Sequence, residues 1–137
     1  MTRREVNLIS ALTLEAMLIS FATACGSSPA PNRVLNSIAV TPTAADAQNF
    51  PSGQVQFVAT GNFSMPPSPA PVPFIAPYSG SWLSSSPNIA TINPSGLAHC
   101  LPGTAGSVTI TAIASSNSAP GGAMSTAVSG TAALTCP

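Results

Sequence analysis

Few side chains in this sequence could do acid–base chemistry, and they lie far apart. Four of the six charged side chains fall within the first fifteen residues; beyond residue 25 only Arg33 and Asp46 are charged, with His99 as the single imidazole. One carboxylate and one imidazole do not make a credible Ser-His-Asp set or acid/base pair. Nucleic-acid binding needs several Lys or Arg contacts to phosphate, which this chain lacks. The sequence therefore argues against an enzyme and against a nucleic-acid partner.

The three cysteines, Cys25, Cys100 and Cys136, are the other residues with distinctive chemistry. A zinc site would need further ligands that the chain does not supply. A redox pair would usually be a close Cys-x-x-Cys, and that spacing does not occur. His99 beside Cys100 is thus only a weak candidate metal ligand, and we expect neither a metal nor a cofactor.

Residues 1–24 have the pattern of a secretory signal peptide. Two arginines near the start are followed by a mostly apolar stretch over residues 6–24, and Ala22-Thr23-Ala24 supplies small residues before a cleavage point. A retained transmembrane anchor is a second interpretation. The apolar stretch is barely long enough for it, and Glu15 near its middle would cost roughly 2.5–3.5 kcal/mol in a bilayer.

Cys25 follows this segment directly, and residues 26–31 read Gly-Ser-Ser-Pro-Ala-Pro. Small residues before a cysteine and a flexible tether after it resemble a bacterial lipoprotein signal, in which the cysteine receives a diacylglycerol and becomes the mature N-terminus. Ala22 departs from that pattern, where Leu is usual, and an ordinary signal peptidase would cut the same bond. The resemblance implies lipidation of Cys25 and anchoring in the cell envelope, with Gly26 favouring the outer membrane. Plain secretion is the alternative.

If Cys25 carries a lipid, Cys100 and Cys136 remain as a pair in an oxidising compartment, and we expect a disulfide between them. Bridging requires Cα atoms roughly 4.4–6.8 Å apart. The alternation of side chains along each strand does not decide whether the two cysteines come this close. Cys136 shares a face with Leu134, but Cys100 lies on the face opposite to Leu97 and would point outward if Leu97 pointed inward.

The elements that would hold these residues are short β-strands between Gly/Pro turns. Period-two alternation with β-branched residues is clearest over residues 107–114. Strands are predicted over residues 34–41, 54–60, from Trp82 onward, and over 89–92, 97–101, 107–114 and 123–136, the last with Gly130 as a point of interruption. The predicted apolar faces are Ile38 and Val40; Val55, Phe57 and Ala59; and Val128, Ala132 and Leu134.

Five short motifs follow one another in this region: Trp82 with Ser84-Ser85, Asn88 with Ala90-Thr91-Ile92, Ser95-Gly96-Leu97, Gly103-Thr104, and Val108 to Ala112. Together they resemble the bacterial immunoglobulin-like domain of group 2, the module of invasin- and intimin-type surface proteins. The resemblance covers about residues 34–136. It implies an all-β, immunoglobulin-like antiparallel sandwich of about seven strands over 34–137, after a signal peptide at 1–24 and a tether at 25–33.

The segment over residues 62–81 departs from that family, because it is expanded and contains six prolines between Pro66 and Pro77. Such a run favours an extended conformation, and we predict a surface loop whose partial deletion leaves stability nearly unchanged. Two of its aromatic residues, Phe74 and Tyr78, are candidate ligand contacts if exposed; otherwise they fold back over the sheet edge. Trp82 is predicted to lie in the core rather than to form a sugar platform.

These observations predict a non-enzymatic, cell-envelope lipoprotein that acts in adhesion, surface binding or envelope structure. Its expected partners are the membrane, through the lipid, and an unidentified protein or polysaccharide. The alternative is a carbohydrate-binding module that uses the loop aromatics. Fold resemblance alone does not decide between them.

Overall fold

The computed structural model describes residues 33–116 and 126–137, which form an all-β sandwich, as the sequence predicts. Its strands are β1 Leu35–Thr41, β2 Ala44–Asp46, β3 Gln54–Gln56, β4 Val58–Phe63, β5 Ala70–Pro71, β6 Ser81–Ser84, β7 Ala90–Ile92, β8 Leu97–Cys100, β9 Gly106–Ser115 and β10 Ala127–Cys136. Within the described residues, helical structure is limited to two 3-10 helices, Ala47–Asn49 and Pro51–Gly53. The predicted signal peptide and most of the tether lie outside the described residues, as do residues 123–125 of the predicted last strand.

The strands form two layers with the order expected of an immunoglobulin-like sandwich. One layer has the order β2-β10-β9-β6, and the other combines β1-β4-β5 with β3-β8-β7. β3 and β4 are consecutive parts of one chain segment that are separated at Phe57, so that segment pairs first with β8 and then with β1. Among the described pairs, only β2 and β10 run parallel.

The strand that was predicted over residues 54–60 is therefore divided, but its faces are as predicted. Val55, Phe57 and Ala59 are buried, whereas Gln54 and Gln56 are exposed. In β1, Ile38 and Val40 are buried, also as predicted. The alternation in the sequence fixes which side chains face the core even where the strand changes partner.

The core lies between the two layers and has Phe57, Leu35, Ile110, Leu134 and Val55 as its largest fully buried side chains. Trp82 on β6 is buried with them, which confirms its predicted core position.

The predicted interruption of the last strand at Gly130 is wrong. β10 is continuous, with Gly130 opposite Ala112 of β9. A Cβ atom at Gly130 would collide with the backbone carbonyl of Ile38 in β1. Because it has no side chain, Gly130 allows β1 to lie close to β10.

The surface loop that was predicted over residues 62–81 is only partly a loop. Its first residues complete β4, and Ser81 begins β6. β5 pairs along the edge of β4, with Thr60 opposite Pro71, and Val72 is buried. Proline is tolerated here because an edge strand can leave one side of its backbone unpaired. No helix in the part of the chain that the structure describes is long and apolar enough to cross a membrane.

Candidate functional site

Cys100, at the end of β8, and Cys136, at the end of β10, form a disulfide that joins the two layers of the sandwich, with their Cα atoms 5.7 Å apart. Both cysteines are buried. Cys100 would have pointed away from the core if Leu97 had pointed toward it. Leu97 does not point inward, so this obstacle to the bond does not arise. Ala98 and Cys100 face the core, while Leu97 is partly exposed. The predicted disulfide is thus compatible with the register of the sheet.

Phe74 lies over the edge of the sandwich at β6. Its ring makes an edge-to-face contact with Trp82, with centroids 5.6 Å apart, a favourable geometry for two aromatic rings. Phe74 is only partly buried, and the next residue, Ile75, is 72% exposed. These two residues place an apolar surface within reach of a ligand.

Tyr78, the other candidate contact, is 7% exposed. Its hydroxyl donates a 2.6 Å hydrogen bond to the carbonyl oxygen of Arg33, and its ring packs edge-to-face on Phe63, with centroids 5.5 Å apart. Both the hydroxyl and the ring are engaged within the fold. Phe74, rather than Tyr78, is therefore the loop aromatic that a ligand can reach.

Arg33 organises the Pro-rich segment, a role that sequence reasoning missed. Its guanidinium carbon lies 3.6 Å from the centroid of the Phe63 ring. The same group donates hydrogen bonds to the carbonyl oxygens of Met65, at 3.2 Å, and of Pro67. The sequence did show that Arg33 is the only Lys or Arg after residue 25, but no spacing rule links it to Phe63.

Three grooves meet around Phe74. The largest, with a volume of about 460 Å³, lies beside β6 and the turn after β7. A second, of about 410 Å³, lies beside the end of β9, and a third, of about 190 Å³, lies between Val72 and Ser95. The large groove is lined by Phe74, Ile75, Gly80, Ser81, Trp82, Ile92 and Pro94. These residues are uncharged and mostly apolar, so the surface suits a neutral ligand that binds through apolar contact and a few hydrogen bonds.

His99 lies on β8 between Gln54 of β3 and Thr91 of β7. Its Nδ1 atom is buried and has no hydrogen-bond partner in the structure. Among the described residues, no three His, Cys, Asp or Glu side chains lie close enough together to hold a metal ion. Asp46 is used locally, since its carboxylate accepts a hydrogen bond from the backbone N–H of Gln48 at 3.0 Å and caps a 3-10 helix.

The fold and the disulfide define the class of the described domain: a disulfide-bonded, all-β immunoglobulin-like sandwich. Comparison of the sequence with protein-family models and with curated proteins gives no match. The function must therefore be argued from the residues and surfaces of this chain alone.

Proposed function

We propose that this protein is a non-enzymatic lipoprotein of the cell envelope whose immunoglobulin-like module acts in adhesion, surface binding or envelope structure. The observation that carries the proposal is the Cys100–Cys136 disulfide across the sandwich, together with the signal-like sequence of residues 1–24 that precedes Cys25. Structural disulfides persist in oxidising compartments, which supports export. The resemblance to group 2 bacterial immunoglobulin-like domains supports a surface role.

The chemistry of the domain supports binding rather than catalysis. Arg33, Asp46 and His99 are its ionisable side chains apart from Tyr78 and the bonded cysteines. Arg33 is engaged with the Pro-rich segment and Asp46 with a turn. The uncharged groove around Phe74 then remains as the surface best suited to a partner.

Export with lipidation is tested by labelling cells with a palmitate analogue. We expect label on the wild-type chain, loss of label in Cys25→Ser, and retained label in the matched control Cys100→Ser. An exported but unlabelled wild-type chain would favour plain secretion instead. The surface role is tested by screening the purified domain against envelope extracts and glycans.

A carbohydrate-binding module is the second candidate, and the groove beside β6 is the specific observation in its favour. Phe74 and Ile75 offer apolar contact there, and Ser81 offers a hydroxyl. In pull-downs with insoluble polysaccharides, this candidate requires retention of the wild-type chain and loss of retention in Phe74→Ala. Phe50→Ala is the matched control, because Phe50 is also partly exposed but lies between the two 3-10 helices. Equal retention of both variants would exclude this groove as the sugar site.

A further inference from the structure

β6 is an edge strand that carries neither a charged residue nor a proline to prevent another strand from pairing with it. Proteins protect sheet edges with charged residues, prolines, very short strands or local coverage. β6 has four residues, Ser-Trp-Leu-Ser, with no charge and no proline. It pairs with β9 on one side only and forms the edge of the β2-β10-β9-β6 sheet.

Three other edge strands, β5, β2 and β7, differ from β6 in this respect, and the uncharged edge strand β1 lies with the carbonyl of Ile38 against Gly130 of β10. β5 has two residues, one of which is Pro71. β2 ends at the charged Asp46 and leads into a 3-10 helix. On β7 the N–H of Ala90, which points away from β8, already donates to the carbonyl oxygen of Ser86 at 3.1 Å. The edge of β6 is therefore the better template for an added strand.

The backbone groups that β6 presents can be identified from its ladder with β9. The N–H of Ser85 donates to the carbonyl oxygen of Thr109 at 3.0 Å, which marks a hydrogen-bonded pair. Hydrogen-bonded and non-hydrogen-bonded pairs alternate in an antiparallel ladder. Leu83, opposite Thr111, therefore bonds to β9, whereas the N–H and C=O groups of Trp82 and Ser84 point to the free edge.

We propose that β6 pairs antiparallel with β6 of a second copy of this chain across a two-fold axis at Leu83. In this register Trp82 faces Ser84 of the second copy, and Ser84 faces Trp82 of the second copy. Each of these two pairs exchanges two main-chain hydrogen bonds, because both residues direct their free groups to the edge. The strand is thus complementary to itself, as a two-fold interface requires.

The side chain on the axis supports this register. Leu83 points away from the core and is 51% exposed. In the proposed dimer it meets Leu83 of the second copy as a non-hydrogen-bonded pair, in which Cα atoms are about 4.5 Å apart and side chains are closest. An exposed apolar side chain is thereby buried against its own copy.

The charge distribution also favours a second copy as the occupant. A two-fold axis places identical side chains opposite one another, and like charges in such positions repel. β6 and the groove beside it, lined by Ile75 and Ser81 among others, consist of uncharged residues. No charge repulsion therefore opposes self-association at this edge, and a charged partner finds no complementary charge there.

The test uses the full chain carrying Cys25→Ser, which removes the third thiol. The expected result without further substitution is a molar mass that doubles as concentration rises, measured by light scattering and sedimentation equilibrium. Leu83→Lys should remove the dimer, whereas the matched control Phe50→Lys, at a residue 37% exposed away from β6, should retain it. A mixture of Leu83→Lys and Leu83→Glu should restore association, because only an axis at this position brings the two new charges together.

Cross-linking tests the register directly. With oxidised glutathione as the oxidant, Leu83→Cys should form a covalent dimer visible on a non-reducing gel, since a non-hydrogen-bonded pair has Cα atoms within the disulfide range. Phe50→Cys should not. Circular dichroism of each variant checks that the monomer is folded. A chain that stays monomeric at all concentrations, a dimer that survives Leu83→Lys, or absence of the Leu83→Cys cross-link would overturn the proposal.

Discussion

At the scale of single residues, Arg33 does more for this fold than any other charged side chain in the described part of the chain. Its guanidinium covers Phe63 and donates to the carbonyl oxygens of Met65 and Pro67. Its own carbonyl oxygen accepts the hydrogen bond from Tyr78. Arg33 is thus bound to both ends of the Pro-rich segment.

Arg33→Ala is therefore expected to lower the free energy of unfolding by about 1 kcal/mol, the size of a partly exposed cation–π contact with its hydrogen bonds. Arg33→Lys keeps the positive charge but lacks the planar guanidinium group. It should therefore lower the free energy of unfolding by less than Arg33→Ala does. Urea unfolding, followed by tryptophan fluorescence, measures the free energy of unfolding of both variants. Equal stability of wild type and Arg33→Ala would show that these contacts contribute nothing.

At the scale of elements, Gly130 is the position where one missing side chain lets two strands approach. Gly130→Ala would force a Cβ atom against the Ile38 carbonyl. Overpacking of this kind costs roughly 1–3 kcal/mol. Thr131→Ala, the next residue on the same strand and exposed, is the control and should change the melting temperature little. A Gly130→Ala variant as stable as the control would mean that β1 moves away at no cost.

The Pro-rich segment gives a second test at this scale. Deletion of residues 66–73 removes β5, the buried Val72 and the Pro67 carbonyl that accepts from Arg33. Burial of Val72 alone contributes about 1.5–3 kcal/mol to the free energy of unfolding. In a domain of this size, each kcal/mol lost lowers the melting temperature by about 4–8 °C. We therefore expect a fall of more than about 10 °C in melting temperature, contrary to the small effect that loop length alone predicts. Scanning calorimetry of the wild-type chain and the deletion variant measures the fall in melting temperature and so distinguishes the large effect from the small one.

The positions and faces of the strands could be predicted because alternation is local: Val55 and Phe57 are recognised from their neighbours in sequence. What could not be predicted depends on pairing between distant segments. The change of partner at Phe57 and the pairing of Pro71 with Thr60 leave no periodic signal. Cys100 is the clearest case. Hydrophobicity places Leu97 inside, but the register of β8 against Val55 places Ala98 there.

At the scale of the candidate binding surface, sequence reasoning found Phe74 but not its surroundings. The Pro-rich segment marked the aromatic residues, yet only the three-dimensional arrangement separates the accessible Phe74 from the engaged Tyr78. The position of β6 at the edge of its sheet was hidden for the same reason. Ser-Trp-Leu-Ser reads as an ordinary strand until the sheet order places it at an edge.

At the scale of the whole molecule, the Cys100–Cys136 disulfide connects β8 in one layer with β10 in the other. The loop it closes spans 36 positions, and the chain-entropy model gives about 4 kcal/mol for a loop of that size. Net stabilities of single domains are about 5–15 kcal/mol, so the bond supplies a large share.

The double substitution Cys100→Ala and Cys136→Ala is therefore expected to lower the free energy of unfolding by about 4 kcal/mol. Guanidinium unfolding in the presence and absence of a reducing agent measures the change. Reduction should destabilise the wild-type chain by a similar amount and leave the double variant unaffected, which separates loss of the bond from loss of packing. Mass spectrometry of the non-reduced wild type should show a chain lighter than the reduced one by two hydrogen atoms. A wild-type chain whose mass and unfolding midpoint do not respond to reduction would contradict the bond and, with it, the argument for an oxidising compartment.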